Sequence, residues 1–200
     1  MFVDGWGKTA YTELGDSLKK NIDLDDLRDS ATGKGISEEV IVQIHKVMRE
    51  AEKRNGFLIS DAVFRSIQTE DGNIVLMQIE PFSQGRIAGI RLVLNSDAFS
   101  SQTIDALNTR IARSSTTVAQ NLVEAVIHES GHAKLISGKS VTEIKALYDE
   151  LEPLGISGIS KIASLDGAEA IAEIEVLMYR GESISFEAHE HYDKYVRVVK

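Results

Sequence analysis

One short run, His-Glu-Ser-Gly-His at residues 128–132, constrains the fold of this chain more than any other feature. It lies within residues 117–136, where apolar side chains recur at helical spacing. On a helix, residues four positions apart lie one turn above each other, so the imidazoles of His128 and His132 can converge on one metal ion. Glu129 lies one step round the helix and can reach a water molecule bound to that ion. The run therefore predicts a metal-binding helix.

Zinc suits such a site, because it polarises a carbonyl group and lowers the pKa of its bound water to about 7. We expect Glu129 to accept a proton as that water attacks and to pass it to the leaving amine. With five His and 18 Glu in 200 residues, the pattern is expected by chance about 0.01 times. The alternative interpretation is a pair of helical histidines that bind no metal.

A catalytic zinc site needs a third protein ligand. The position six residues after His132 is a glycine, and no histidine follows nearby, so a glutamate on another helix is the remaining common solution. Asp166 reads as the N-cap of such a helix, on which Glu169 and Glu173 share one face. One of them can bind the metal while the other orients a ligand imidazole; the alternative is a solvated acidic face. The downstream candidates are Glu143, Glu150, Glu152, Glu169, Glu173, Glu175, His189 and His191.

Two stretches, residues 127–133 and 159–173, together resemble the gluzincin domains of phage minor head proteins and the catalytic domain of anthrax lethal factor. Those proteins carry HExGH, then a Ser-x-Tyr-Ala-like stretch, then a helix of the form E-(F/A)-x-A-E. This chain has HESGH and EAIAE, and the resemblance covers approximately residues 85–180. It implies a zincin-like metallopeptidase fold.

The resemblance also implies a role for each matching residue. Zinc is bound by His128, His132 and Glu169. Glu129 is the general base, and Glu173 orients a ligand histidine.

One position departs from the family pattern. Ile162 stands where the family often has a tyrosine that hydrogen-bonds the tetrahedral oxyanion. Isoleucine has no donor, and the loss of one such donor costs about 2.7–4 kcal/mol of transition-state stabilisation. The candidate substitutes are Tyr148, Tyr179, His189 and His191.

The order of the predicted elements indicates an α+β fold, a small twisted and mostly antiparallel sheet packed on helices. A helix follows Ser37 and stops at Gly56. An Asp-Gly pair within residues 70–73 predicts a hairpin between the first two strands, and Pro81 ends the second strand or places it at an edge. The predicted strands are 62–68, 74–79 and 87–95. The helices are 102–113, 117–136, 140–151, 168–180 and 185–199, with one or two short helices at 11–27.

The third strand carries a candidate substrate-binding surface. Zincins keep an edge strand before the active helix, and Ile90, Leu92 and Leu94 would lie on it. An extended peptide would add to such a strand through main-chain hydrogen bonds. The alternative is a core strand.

We predict one zincin-like domain over residues 1–200, which is long enough to bury a sizeable core. It divides into an N-terminal extension (1–36), a helix and sheet region (37–100) and a helical region with both motifs (101–200). The formal net charge of -9, without a long basic run, argues against nucleic-acid and anionic-membrane binding. The absence of cysteine excludes disulfides and thiolate chemistry. The chain shows no signal peptide or membrane span, so we expect a cytoplasmic or virion-associated protein, complete or part of a larger polypeptide.

The predicted function is zinc-dependent peptide hydrolysis, with a peptide or protein as the substrate. One alternative is a phage head morphogenesis or interaction module, weakly active or inactive, whose partners are phage structural proteins. Ile162 favours that alternative. Another is a toxin-like effector metalloprotease.

Overall fold

A computed structural model describes residues 24–67 and 75–196 of the chain. Within these ranges the chain forms eight helices and three strands, and the predicted α+β class is confirmed. The helices are α1 (Leu24–Thr32), α2 (Glu38–Asn55), α3 (Ser96–Phe99), α4 (Ile104–Ala112), α5 (Leu122–Ile136), α6 (Val141–Leu151), α7 (Gly167–Arg180) and α8 (Phe186–Val196). The strands are β1 (Asp61–Arg65), β2 (Met77–Phe82) and β3 (Gly89–Asn95).

The sheet has β3 at its centre, between β1 and β2. Because β3 runs parallel to β1 and antiparallel to β2, the sheet is mixed, and the prediction of a mostly antiparallel sheet is wrong. The predicted hairpin between the first two strands is also wrong, since β3 separates them; the turn expected at residues 70–73 lies outside the described residues. Six of the seven β3 residues are buried. A strand with so many buried residues is most stable when it pairs with a neighbour on each side. The burial of β3 therefore outweighs the local turn signal in setting the strand order.

The central position of β3 overturns its predicted role in substrate binding. Both of its edges are already hydrogen-bonded to neighbouring strands, so a peptide cannot add to it. The side chains of Ile90, Leu92 and Leu94 are buried, as the alternative interpretation of a core strand requires. The edge strand on the antiparallel side is β2, and it contains Pro81, as the prediction for that residue allowed.

The helix boundaries follow the capping signals in the sequence. Ser37 precedes α2, and Gly56 ends it in the left-handed conformation that glycine adopts most easily. Four of the later helices begin and end within two residues of the predicted positions where they are described. The exception is α5, which begins at Leu122 rather than residue 117, because the side chain of Asn121 accepts a hydrogen bond from the Glu124 N–H.

Two predicted helical segments are only partly covered. The structure describes the last four residues of the segment at 11–27, where α1 begins, and the segment at 185–199 as far as residue 196; the rest of both lies outside the described residues. No described helix has the length and apolar character that crossing a membrane requires.

Two apolar clusters form the core of the described residues, and α5 contributes to both. The first packs α2 and the sheet against α5 residues such as Ile127. The second packs α6, α7 and α8 together with Leu135 of α5. The helix that carries the His-Glu-Ser-Gly-His run is therefore buried between two layers, which fixes its position.

A glycine sets the distance between α5 and α7. A Cβ atom built on Gly131 would lie 2.8 Å from the Cα of Ala172 and 3.4 Å from the Cβ of Glu175. The first contact is with backbone, which cannot rotate away. The two helices can lie this close together only because position 131 has no side chain.

We expect Gly131→Ala to lower the free energy of unfolding by about 1–2 kcal/mol, because the strain of overpacking exceeds the gain in helix propensity. Denaturant unfolding measures the change. Gly33→Ala is a matched control, since a Cβ there meets nothing within 4 Å, and a change within about 0.5 kcal/mol is expected. Equal unfolding energies for Gly131→Ala and the wild type would contradict the close approach.

Candidate metal centre

Three side chains from two helices converge on one point. The Nε2 atoms of His128 and His132 lie 3.3 Å apart. Oε2 of Glu169 lies 3.3 Å from Nε2 of His128, and Oε1 of Glu169 lies 3.6 Å from Nε2 of His132. Among the described residues these three form a group that could hold a metal ion.

The spacing of these donor atoms fits a small tetrahedral ion. Zinc binds imidazole nitrogen and carboxylate oxygen at about 2.0–2.2 Å, so two ligand atoms on a tetrahedral ion lie about 3.3–3.6 Å apart. The three observed separations fall at these values. Three protein ligands leave a fourth position for water or substrate, which is typical of catalytic sites. The residues present therefore fit zinc.

Local structure explains why the three side chains meet. His128 and His132 are one turn apart on α5, and their rings lie edge to face with centroids 5.0 Å apart. Glu169 comes from the first turn of α7. The side chain of Asp166 caps that turn by accepting hydrogen bonds from the backbone N–H groups of Ala168 (2.6 Å) and Glu169 (3.1 Å).

Glu173 lies behind His128 rather than in the metal-binding group. Its Oε1 faces Nδ1 of His128 at 2.9 Å, and both atoms are buried with no other hydrogen-bond partner among the described residues. Its Oε2 accepts a hydrogen bond of 2.5 Å from the backbone N–H of Val118, in the loop before α5. A proton on Nδ1 of His128 would face this carboxylate, which leaves the lone pair of Nε2 directed at the metal position.

The charges of the group favour a cation at its centre. Burial alone would raise the pKa of Glu169, but the rings of His132 and His128 outweigh burial and hold that pKa well below its usual range. Burial alone would lower the pKa of His128, yet Glu169 and Glu173 raise it well above its usual value. Against the same effect of burial, Glu169 also raises the pKa of His132. A divalent cation would supply the positive charge that this arrangement stabilises.

Glu129 lies beside the metal-binding group on the side of β2. Burial raises the pKa of its carboxyl, while the rings of His132 and His128 and, to a smaller extent, the backbone N–H of Ile79 oppose the rise. A carboxylate whose pKa is raised by burial accepts a proton more readily at neutral pH than an exposed one. The structure therefore places a buried carboxylate with a raised pKa beside the metal-binding group.

The other downstream candidates are held away from this group. Glu175 lies on a different face of α7, where it accepts hydrogen bonds from Lys134 at 3.3 Å and from Asn55 at 3.1 Å. Tyr192 also donates a hydrogen bond to it. The remaining candidates are Glu143 in the cap of α6, Glu150 paired with Lys194, His191 facing the Gly167 carbonyl, and the exposed Glu152 and His189.

Two backbone N–H groups of the site were not predicted from the sequence. The N–H of Val118 binds Glu173, and the N–H of Ile79 binds Glu129. Main-chain donors leave no residue signature, so no pattern could have identified them. Residue 118 also falls in the first turn of the helix predicted at 117–136, where backbone N–H groups have no partner within the helix and the sequence does not show which acceptor they meet.

Comparisons of this chain with protein-family models, with curated proteins and with solved structures give no match. The chemistry of the site is therefore the basis on which a function can be proposed.

Proposed function

We propose that this protein is a zinc-dependent peptidase. The observation that carries the proposal is the convergence of His128, His132 and Glu169 at tetrahedral spacing, with Glu129 buried beside them. Zinc held by the three ligands would polarise the peptide carbonyl and lower the pKa of a bound water.

The chain's own residues would move the protons. Glu129 takes a proton from the attacking water at its carboxylate and then delivers it to the amine that leaves. The backbone N–H of Ile79 interacts favourably with this carboxylate. Glu173 holds the ring of His128 through Nδ1 and so keeps Nε2 directed at the metal position.

An extended substrate would lie along β2. Among the described residues, this strand pairs with β3 on one side only. Alternate N–H groups of a strand point to the same side. The N–H of Ile79 points away from β3, towards Glu129, so residue 81, two positions further on, also faces the open edge. Proline has no N–H to leave unpaired there. A peptide paired with this edge would pass next to the general base.

The direct test is hydrolysis of an unfolded protein, such as denatured casein, by the zinc-loaded chain. We expect cleavage that stops when a chelator removes the metal and returns when zinc is added back. A His128→Ala variant should bind less zinc than the wild type and cleave poorly. Equal zinc content in both proteins would contradict the site, and absence of cleavage by the zinc-loaded wild type would contradict the activity.

A second candidate function is an assembly or interaction module that keeps zinc for structure. The observation that favours it is Ile162, which supplies no donor where the resembling family often has a tyrosine. Ile162 is half-buried, and its backbone N–H donates to the carbonyl of Thr116 at 3.1 Å. Zinc binding without any peptide hydrolysis would support this second candidate.

A further inference from the structure

The buried face of α6 carries a tyrosine towards the metal centre. Ile144, Tyr148 and Leu151 are four and three positions apart, so they share one face of the helix. Ile144 and Leu151 are fully buried on that face. The carbonyl oxygen of Leu151 would lie 2.9 Å from a Cβ built on Gly167, the first residue of α7. The end of α6 thus contacts the turn of α7 that carries Glu169.

The same helix also packs against β2, the strand whose Ile79 N–H binds Glu129. Helix α6 therefore adjoins both the third ligand and the general base. Tyr148 lies on the face between these contacts and packs against both apolar clusters. Its hydroxyl has no hydrogen-bond partner among the described residues, so a donor is left free at this position.

The electrostatic surroundings of Tyr148 are those of the site itself. Burial raises the pKa of its phenol, and the nearby carboxylates of Glu169, Glu129 and Asp166 raise that pKa further. The phenol therefore stays protonated at neutral pH and can act as a hydrogen-bond donor. The three other candidate donors lie elsewhere: Tyr179 is exposed and stacks against Arg54, His189 is exposed, and His191 faces the Gly167 carbonyl.

We propose that Tyr148 is a catalytic residue whose hydroxyl donates a hydrogen bond to the oxyanion formed during peptide hydrolysis; this inference rests on the proposed function. When water attacks, a new C–O bond forms and the π pair of the carbonyl moves onto its oxygen, while Glu129 takes the proton of the water. The C–N bond then breaks, and Glu129 delivers the proton to the amine. Tyr148 keeps its own proton throughout. It thereby supplies the donor that Ile162 lacks.

Tyr148→Phe removes only the hydroxyl and tests this role. We expect kcat to fall about 10²–10³-fold, as for the loss of one oxyanion donor, with little change in KM. Zinc content and thermal unfolding should stay at wild-type values. Tyr179→Phe is the matched control, because it removes a phenol hydroxyl from the exposed part of α7, and its kcat should equal that of the wild type.

A binding measurement separates catalysis from structure. Calorimetry would compare wild type and Tyr148→Phe, both zinc-loaded, for a phosphinic analogue of the best peptide substrate, whose tetrahedral oxygens imitate the oxyanion. We expect the variant to bind this analogue about 10²-fold more weakly or worse. In a Glu129→Gln background, where substrate survives, both forms should bind the uncleaved peptide equally.

The outcomes separate this inference from the proposed function. An active wild type together with a fully active Tyr148→Phe variant would overturn the role of Tyr148 alone. Loss of zinc or of fold in the variant, or equal binding of the phosphinic analogue, would also overturn it. A zinc-loaded wild type that cleaves no peptide would overturn the proposed function and the role of Tyr148 with it.

Discussion

Replacing Glu129 with glutamine should lower peptide hydrolysis by about 10²–10⁴-fold, the usual contribution of a general acid–base residue. The amide is nearly isosteric with the carboxylate and can still accept the hydrogen bond from the Ile79 N–H. It cannot accept the proton of the attacking water. Because Glu129 is not one of the three side chains that could hold a metal ion, zinc content and unfolding temperature should not change. Steady-state kinetics with metal analysis of the same sample measures both quantities.

The matched control is Glu190→Gln, an exposed glutamate of α8, which should leave activity unchanged. If Glu129→Gln loses its zinc, then Glu129 is a ligand and the division of roles is wrong. If the variant keeps full activity, another group takes the proton.

Replacing Glu169 with alanine should weaken zinc binding more than replacing Glu173 does. Loss of Glu169 leaves two histidines and solvent around the ion. Loss of Glu173 removes the group facing Nδ1 of His128, and loss of such an indirect partner typically costs about 10–100-fold in metal affinity. Competition titration against a zinc chelator ranks the two variants directly.

A third variant, Glu173→Gln, separates the effect on metal affinity from the effect on stability. Glu173→Ala also leaves the N–H of Val118 without its acceptor, which costs about 1–3 kcal/mol of stability. Glu173→Gln keeps an oxygen for Val118 but can present its NH₂ group to His128. That places the ring proton on Nε2, so zinc affinity should fall while the fold persists. Weaker binding in the Glu173 variants than in Glu169→Ala would transfer the ligand role to Glu173. Unchanged binding in all of them would contradict the site.

Local signals in the sequence were sufficient for most of the helix boundaries and for the two histidines of the candidate site. The convergence of His128 and His132 follows from a spacing of four on one helix and needs no tertiary information. Asp166 and Gly56 mark helix ends by capping, which depends on adjacent residues only. These predictions therefore agree with the structure within one or two residues.

Tertiary contacts decide the features that the sequence could not. Glu169 and Glu173 share a face, so spacing alone could not choose between them; the packing of α7 against α5 at Gly131 determines which one faces the Nε2 atoms. The order of the strands depends on the burial of β3. An Asp-Gly turn signal contains no information about that burial. Tyr148 is 21 positions from Glu169 in the sequence, and only the contact between α6 and α7 brings it near.

The close approach of α5 and α7 at Gly131 has a consequence for the choice of metal. The two histidines belong to one helix and Glu169 to the other, so the separation of the helix axes sets the size of the cavity between their donor atoms. At the observed separations of 3.3 to 3.6 Å the cavity suits a small ion. A larger ion such as Ca²⁺, with oxygen ligands at about 2.3–2.6 Å, would need the helices to move apart. Selectivity by ionic radius would therefore depend partly on a glycine that is not among the residues that could hold the ion.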